Sequence, residues 1–299
     1  MMPVTVSTAS FVHIGRTRSV CQDVADALAV QTPTGVVHVA AVCDGHGDDG
    51  LVIADKCLSG LTHELGTLPW IGDAGAAISS AFERVQESLQ ETDGATSSGA
   101  TAAVAVLTPD GYLHVGHVGD SRAVVFEFRR DGDEIDHRTL TEDHTPHLER
   151  EYRRLLKTGE DNGHTGTVLH VNGCLRVLGV LAPSRAFGDT AMAPYVIAAP
   201  DVRSEPMPRV GSLVVLASDG LWGAMRPEDV AGMFRNILHR VFEKEPGVTM
   251  KAALRIAVRV VVRHVATVVG SDDVAIAAIA IGGPADFGVA QAASPTNRV

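Results

Sequence analysis

The chain has 299 residues, of which 25 are lysine or arginine and 36 are aspartate or glutamate, so its formal net charge is −11. This acidic balance argues against nucleic acid as a main partner, because phosphate backbones bind basic surfaces. Hydrophobic residues make up 45% of the chain, and apolar runs extend from Val36 to Ile281 without a low-complexity linker, which predicts one globular domain.

The cysteine pattern and the N-terminus indicate the cellular setting. Cys21, Cys43, Cys57 and Cys174 show no C-x-x-C spacing, which argues against a disulfide framework or a zinc site and favours a reducing compartment. The first residues lack the basic start and apolar core of a signal peptide, and no uninterrupted apolar stretch reaches the roughly 18 residues of a membrane span. We therefore expect a monomer in the cytoplasm, or also in the nucleus, with no membrane partner.

Apolar periodicity predicts a mixture of strands and helices. In chain order these are strands at 4–12, 25–30 and 36–43, helices at 46–65 and 73–90, strands at 100–107, 112–118 and 122–128, a helix at 146–158, a strand at 213–217, helices at 227–242 and 249–269, and a strand at 274–281. Asp73 is a predicted N-cap, because its carboxylate can accept backbone N–H groups of the helix that follows. Strands in two batches, each followed by helices, predict an α+β layered fold.

One stretch interrupts this pattern of apolar elements. Residues 131–173 are mainly polar, and we expect either a functional flap or a plain insertion within a domain that spans residues 1–283. The octapeptide GEDNGHTG inside this stretch is expected to be mobile. Residues 284–299 are expected to form a disordered tail.

Four aspartates occupy similar positions at separate places in the chain. Asp44, Asp120 and Asp219 end apolar runs, and Asp272 lies in the loop before the last predicted strand. A single such aspartate is usually a turn residue. If the four converge, each pair of carboxylates repels by roughly 4 kcal/mol at about 4 Å and an effective dielectric near 20, so the cluster requires cations. Oxygen ligands of this kind suit Mg²⁺ or Mn²⁺, and two such ions can bind and orient a phosphoryl group.

Two other phosphate chemistries lack their required residues. A cysteine-based phosphatase needs a thiolate followed by a phosphate-binding loop that ends in arginine, and Cys43, in CDGHGDD, does not provide one. Zinc catalysis needs clustered ligands, but His114 and His117 are three residues apart in a predicted strand and face opposite sides.

Eight short motifs occur in an order that resembles the metal-dependent serine/threonine protein phosphatases of type 2C. They occupy residues 15–23 (GRTRSVCQD), 44–47 (DGHG), 98–102 (SGATA), 119–122 (GDSR), 140–146 (LTEDHTP), 179–189 (GVLAPSRAFGD), 218–222 (SDGLW) and 271–273 (SDD). Each motif alone is a weak signal, but eight in family order, from Gly15 to the last strand, are a strong one.

The resemblance implies a four-layer α/β/β/α sandwich, with two antiparallel sheets packed face to face and helices on both outer faces. It implies hydrolysis of phosphoserine and phosphothreonine in proteins by a metal-bridging hydroxide, without a phosphoenzyme, so phosphoproteins are the expected substrates. It also implies two Mg²⁺ or Mn²⁺ ions per chain. Asp44 would bridge both ions, the Gly45 carbonyl would bind one, and Asp219 and Asp272 would complete the other site.

Two further roles are implied for residues that act on the substrate. Arg18 would hold the phosphate, because its planar fork can bind two phosphate oxygens at once. His46 would protonate the departing seryl or threonyl oxygen, since histidine is the side chain that exchanges protons near neutral pH. Four other residues resemble positions that support the metal ligands or surround a third, weaker metal site: Gln22, Asp23, Thr101 and Asp120.

Some positions depart from the family pattern. Gln22 stands where many members carry a glutamate, and Gly223 stands where the family commonly has an aspartate that serves the third ion, which argues against that ion here. Asp48 and Asp273 replace a glycine and a frequent asparagine and add negative charge. Because the three expected metal aspartates are present, we favour an active enzyme. The alternative is a catalytically weak or inactive pseudophosphatase that serves as a protein-binding module.

Overall fold

The structure of the protein is a computed structural model that describes residues 4–68, 70, 72–129, 135–270 and 272–287. The strands, in chain order, are β1 Val6–His13, β2 Asp23–Thr32, β3 Gly35–His46, β4 Gly99–Leu107, β5 Tyr112–Val118, β6 Arg122–Phe128, β7 Ile135–Thr139, β8 Val168–Val171, β9 Cys174–Val177, β10 Phe187–Gly188, β11 Asp201–Pro206, β12 Ser212–Ala217 and β13 Val274–Ile281. The α-helices are α1 Gly50–Thr67, α2 Ala74–Ser88, α3 Glu149–Asp161, α4 Asp219–Trp222, α5 Pro227–Lys244 and α6 Met250–His264.

The strands form two large antiparallel sheets. The first sheet has the order β1-β13-β12-β6-β7. The second has the order β11-β5-β4-β3-β2, and the short β10 pairs with the start of β4. Strands β8 and β9 form a separate hairpin. Because β13 pairs with β1, the first and last of the described strands are neighbours in the first sheet.

Alternate side chains of β3 enter two different cores. Val39 and Cys43 pack with helices α1 and α2 on the outer face of the second sheet, whereas Val42 packs with Val214 and Ile279 of the first sheet. Helices α5 and α6 cover the outer face of the first sheet. This arrangement confirms the four-layer sandwich and explains why the strand is an unbroken apolar run. None of the described helices is long and apolar enough to span a membrane.

The start of α2 has the predicted cap. One carboxylate oxygen of Asp73 accepts hydrogen bonds from the N–H groups of Gly75 at 2.8 Å and Ala76 at 3.1 Å. These bonds satisfy two of the N–H groups that the first turn of a helix leaves unpaired. The prediction of Asp73 as the N-cap is confirmed.

The first predicted helix begins too early. Strand β3 continues to His46, with Asp44 paired to Thr101 and His46 paired to Gly99 of β4, and α1 begins only at Gly50. The residues DGH favour a turn when read locally, so their extended conformation depends on the neighbouring strand. This correction matters for the site, because it places Asp44 inside a sheet and not in a loose turn.

The polar segment 131–173 is not one insertion. Residues Ile135–Thr139 form β7, the edge strand beside β6, and only α3 and the β8-β9 hairpin lie outside the two large sheets. Helix α3 extends to Asp161, so the first residues of the octapeptide expected to be mobile are helical. Residues 131–134 lie outside the described part of the chain.

The folded chain extends beyond the expected domain boundary at residue 283. Pro284–Phe287 form a 3₁₀ turn. The ring of Phe287 is buried on the first sheet, with its centroid 5.5 Å from that of Phe128. The expectation of disorder is therefore wrong for these four residues, while the tail from 288 to 299 lies outside the described residues.

The sequence analysis predicted no strand at β7 to β11, because these strands are short, with two to six residues each, and β7 and β11 are also largely polar. In β11, for example, Arg203 and Glu205 interrupt any apolar alternation. The strand forms because its backbone pairs with β5 and so becomes the edge strand of the second sheet. Such pairing is decided by a neighbour and not by local propensity.

Candidate active site

A cavity of about 230 Å³ opens where the ends of strands from both sheets meet. All the predicted site residues except Asp23 line it. The lining residues are Arg18, Gln22, Asp44, Gly45, His46, Gly47, Thr101, Asp120, Arg176, Leu181, Ala182, Pro183, Asp219 and Asp272. The cavity therefore gathers four aspartates that are far apart in the sequence.

Each of these aspartates is held by a different element. Asp44 lies in β3, opposite Thr101 of β4. Asp120 follows β5, Asp219 is the first residue of α4 directly after β12, and Asp272 precedes β13. Because β12 and β13 belong to the first sheet and β3 and β5 to the second, the carboxylates meet only when the two sheets pack together.

The carboxylates repel one another in this buried position. Burial raises the pKa of Asp44 well above its usual range, and the charges of Asp23, Asp219 and Asp120 raise it further. Burial, with added repulsion from Asp219, raises the pKa of Asp120 to about 7. The pKa of Asp219 is also raised, by burial and then by the charge of Asp272. A cation among these oxygens would reverse the shifts, and an oxygen-only donor set fits Mg²⁺ or Mn²⁺.

Asp23 lies behind Asp44. The two residues are opposite each other on β2 and β3. The Asp23 carboxylate is buried and accepts a hydrogen bond from Ser218 Oγ at 2.6 Å, and burial raises its pKa to about 7. Its side chain thus connects the second sheet to Ser218, the residue directly before Asp219.

Arg18 is paired with a candidate metal ligand. Its Nε and Nη2 atoms lie 2.8 Å and 2.6 Å from one carboxylate oxygen of Asp272, and this hydrogen bond raises the pKa of the guanidinium. About half of the Arg18 side chain is exposed at the cavity rim. The arginine therefore competes with any cation for Asp272.

Asp273 anchors the loop that carries Arg18. One of its carboxylate oxygens accepts the N–H of Gly15 at 2.8 Å, and the other accepts the N–H of Gln22 at 2.9 Å. An asparagine could accept only one of these bonds, since its amide nitrogen is a donor. From the sequence, Asp273 was expected only to add negative charge near the ions. In the structure its carboxylate also holds both ends of the loop.

The sequence analysis missed Arg176, which lines the cavity, and Asp189, which contacts the lining residue His46. Asp189 lies against His46, with Asp189 Oδ2 at 2.7 Å from His46 Nε2. Arg176 comes from β9, and its Nη1 donates to the Val180 carbonyl oxygen at 2.7 Å. The motif GVLAPSRAFGD was the available signal for Asp189, but nothing in its spacing indicated a contact with a histidine 143 residues away.

A second cluster of possible metal ligands, formed by His117, His144 and Asp201, lies outside the cavity. The rings of His117 and His144 stack with centroids 4.3 Å apart, and ligand atoms of these histidines and Asp201 all lie within 4.8 Å of one another. However, the N–H of Gly119 donates to His144 Nδ1 at 3.2 Å. The proton of the neutral ring is then on Nε2, 3.2 Å from Asp201 Oδ2, which leaves no lone pair there for a metal. The cluster instead braces the turn that carries Asp120.

The comparisons with known proteins agree with this geometry. Residues 12–262 match the family model described as Protein phosphatase 2C. The chain belongs to this family. Its membership confirms the resemblance seen in the motifs and assigns the chain to a family of protein phosphatases, which are phosphoric monoester hydrolases.

Curated relatives match over most of this chain. Probable protein phosphatase 2C 45 of Oryza sativa subsp. japonica is 36% identical over 204 residues, which are 68% of this chain and 67% of that protein. Probable protein phosphatase 2C 59 of Arabidopsis thaliana is 36% identical over 205 residues, with coverages of 68% and 61%. A rice protein named Probable protein phosphatase 2C member 13, mitochondrial, is 33% identical, with coverages of 72% and 56%. The chain thus spans between 56% and 67% of the length of these relatives.

Solved structures share the fold. The serine-threonine phosphatase 2C from Toxoplasma gondii has a TM-score of 0.71 and 20% sequence identity, and the match covers 93% of this chain and 95% of that one. The catalytic domain of the serine threonine protein phosphatase PstP, solved in complex with two manganese ions, has a TM-score of 0.59 and 17% identity, with coverages of 94% and 100%.

We predict that Mn²⁺ stabilises the protein through the four aspartates. A ligand present at about 100 times its dissociation constant adds about 2.7 kcal/mol to the free energy of unfolding. Asp219→Asn should stabilise the metal-free protein, because it removes one repelling charge, and should abolish most of the Mn²⁺-dependent gain. Thermal denaturation with and without Mn²⁺ measures both effects. Asp161→Asn, on the exposed end of α3, is the matched control. An equal Mn²⁺-dependent gain in wild type and Asp219→Asn would contradict the prediction.

We also predict that acid lowers the free energy of unfolding through His117, which belongs to the cluster beside Gly119. Burial lowers the pKa of His117 to about 4, below the value of about 6.5 in the unfolded chain. Between these values the unfolded state binds more protons, so stability falls as the pH decreases, by about 2 kcal/mol at pH 5. His117 Nε2 lies 2.9 Å from the carbonyl oxygen of Glu142, and the amide of His117→Gln can still donate to it, so this variant should flatten the pH dependence. Urea denaturation from pH 7 to pH 5 measures it, with His170→Gln as the exposed control. Parallel profiles for wild type and His117→Gln would refute it.

Proposed function

We propose that the protein hydrolyses phosphoserine and phosphothreonine in phosphoproteins and that it uses two Mg²⁺ or Mn²⁺ ions. The observation that carries this proposal is the meeting of Asp44, Asp120, Asp219 and Asp272 in one cavity. Without cations, the mutual repulsion of these carboxylates opposes the folded state. Membership of the protein phosphatase 2C family supports the same activity.

Four groups of this chain would hold the two ions. They are the carboxylates of Asp44, Asp219 and Asp272 and the carbonyl of Gly45, and all four residues line the cavity. Bound divalent ions supply two kinds of chemistry in such a site: they neutralise phosphate charge, and they make a bound water more acidic and therefore a better nucleophile. Thr101 and Asp120 extend the oxygen-rich wall beside them.

Hydrolysis would proceed without a phosphoenzyme. Among the described residues that line the cavity there is no serine or cysteine, and the Thr101 hydroxyl is 2.8 Å from that of Ser121. A water oxygen would form the new bond to phosphorus while the bond to the seryl or threonyl oxygen breaks. His46 would give a proton to that departing oxygen. The products are inorganic phosphate and the free hydroxyl side chain.

Arg18 would bind the substrate phosphate. An ion bound to Asp272 would weaken the pairing of this carboxylate with the guanidinium, because the carboxylate oxygens would be shared. The half-exposed fork could then turn to the phosphate and donate two parallel hydrogen bonds. Ion binding and substrate binding would in this way be linked through a single carboxylate.

We predict Mn²⁺-dependent release of phosphate from a phosphothreonine peptide. Asp44→Asn and Asp219→Asn should each lower kcat/KM at least about a hundredfold, because each removes charge from the ligands that activate water. Asp161→Asn should be unchanged. Phosphate release is measured by a colorimetric assay with Mn²⁺, with Mg²⁺ and with chelator. If the wild-type protein releases no phosphate at millimolar metal, the pseudophosphatase alternative replaces this proposal.

We predict that Arg18→Ala raises KM about tenfold to a hundredfold. This factor corresponds to the free energy that a hydrogen bond to a charged group contributes to binding. Arg18→Lys should recover only part of the loss, since lysine keeps the charge but not the fork. Mn²⁺ affinity, measured by calorimetry, should stay equal or increase, because Asp272 loses its competing partner. A loss of Mn²⁺ binding in Arg18→Ala would contradict the phosphate assignment.

A further inference from the structure

Asp189 is a buried aspartate to which the resemblance to the phosphatase family assigned no role. Its side chain is 4% exposed, and its Oδ2 atom lies 2.7 Å from Nε2 of His46, whose side chain is 24% exposed. His46 lies in β3, and Asp189 directly follows β10. The two residues are brought together because both β3 and β10 pair with β4.

The backbone around this pair is shaped to hold it. Asp189 has a left-handed conformation, with φ at 47°, which costs energy for most residues but is tolerated by aspartate and asparagine. Gly99 leaves the space that the pair occupies, because a Cβ atom there would lie 2.2 Å from Asp189 Oδ2 and 2.7 Å from His46 Nε2. Such a strained conformation at a cavity is typical of functional positions.

The local backbone does not need the Asp189 carboxylate. The N–H of Asp189 donates to the carbonyl of Ser98 at 3.0 Å, so the segment is held by main-chain bonds. Asp189 precedes the 3₁₀ turn Thr190–Met192, yet its side chain makes no capping hydrogen bond to that turn. The pairing with His46 is therefore the main contact that uses this carboxylate.

We propose that Asp189 is a positioning residue for His46, and this inference rests on the proposed function. The Asp189 carboxylate accepts a hydrogen bond from Nε2–H of His46 and fixes the ring, so that Nδ1 is the nitrogen left to act on the substrate. Within the described residues, Nδ1 of His46 makes no hydrogen bond that would compete for this role. When the ring carries both protons, the proton on Nδ1 moves to the departing seryl or threonyl oxygen, and the proton on Nε2 remains on that nitrogen, hydrogen-bonded to Asp189.

The kinetic test uses Asp189→Asn, because asparagine tolerates the left-handed backbone and an alanine would not. We expect kcat for a phosphothreonine peptide to fall about tenfold to a hundredfold, the loss that is usual when a carboxylate that orients a metal-bound histidine is removed. The loss for p-nitrophenyl phosphate should stay within about threefold, because its leaving group needs no proton. KM and Mn²⁺ affinity should be unchanged. His46→Gln should show the same preference for the activated ester.

A double-mutant cycle separates positioning from general loosening. If Asp189 acts through His46, adding Asp189→Asn to His46→Gln should cause no further loss with the phosphopeptide. The structural control is Gln86→Leu. Gln86 hydrogen bonds both the N–H and the carbonyl of Gly188, at 2.9 Å and 3.4 Å. Its loss should loosen the same segment without removing the carboxylate, and it should not discriminate between the two substrates.

A spectroscopic readout does not depend on activity. Long-range ¹H–¹⁵N spectra of the imidazoles, with His46 assigned from the His46→Gln variant, should show the proton of neutral His46 on Nε2. This tautomer should change in Asp189→Asn, because the asparagine amide can face the ring as a donor. A proton on Nδ1 in the wild-type protein would overturn the inference.

The outcomes distinguish this inference from the proposed function. Equal loss for both substrates in Asp189→Asn, additive loss in the double variant, or a Gln86→Leu profile that matches Asp189→Asn would each overturn the role of Asp189 and leave His46 as the proton donor. Equal loss for both substrates in His46→Gln would overturn the donor role itself, and the inference with it. Absence of metal-dependent turnover in the wild-type protein would overturn the proposed function.

Discussion

The mutual repulsion of buried carboxylates is the constraint on which this site depends. Asp44, Asp120 and Asp219 have raised pKa values because burial disfavours their charge and because each lies near the others. A fold that gathers such groups must hold them rigidly, or they would separate into solvent. Each aspartate therefore lies in a strand or directly beside one, where the two packed sheets fix its position.

Hydrogen bonds behind the cavity also hold the aspartates in place. Ser218, directly before Asp219, bonds to Asp23, which lies opposite Asp44 across two paired strands. Asp273, directly after Asp272, binds both ends of the loop that carries Arg18. The candidate metal ligands are thus connected to the loop that carries Arg18 through neighbours in the chain, and a change at one position is expected to reach the others.

The two side chains proposed to act on the substrate are each paired with a carboxylate. Arg18 pairs with Asp272, and His46 pairs with Asp189. The two pairs differ in burial. Arg18 and Asp272 are each more than two fifths exposed and can exchange partners, whereas Asp189 is enclosed and can only hold its histidine. The first pair suits a group that must move to bind phosphate, and the second suits one that must stay oriented.

The sequence by itself determined the long apolar strands, the Asp73 cap, the family and the four aspartates of the cavity, because these depend on local periodicity, on local hydrogen bonding and on motif order. Only the tertiary structure decided that β3 continues through Asp44 to His46, that Asp273 clamps the Arg18 loop, and that Asp189 holds His46. Those contacts join residues up to 258 positions apart. They depend on strand pairing and on sheet packing, which are set by partners that no local pattern in the chain reveals.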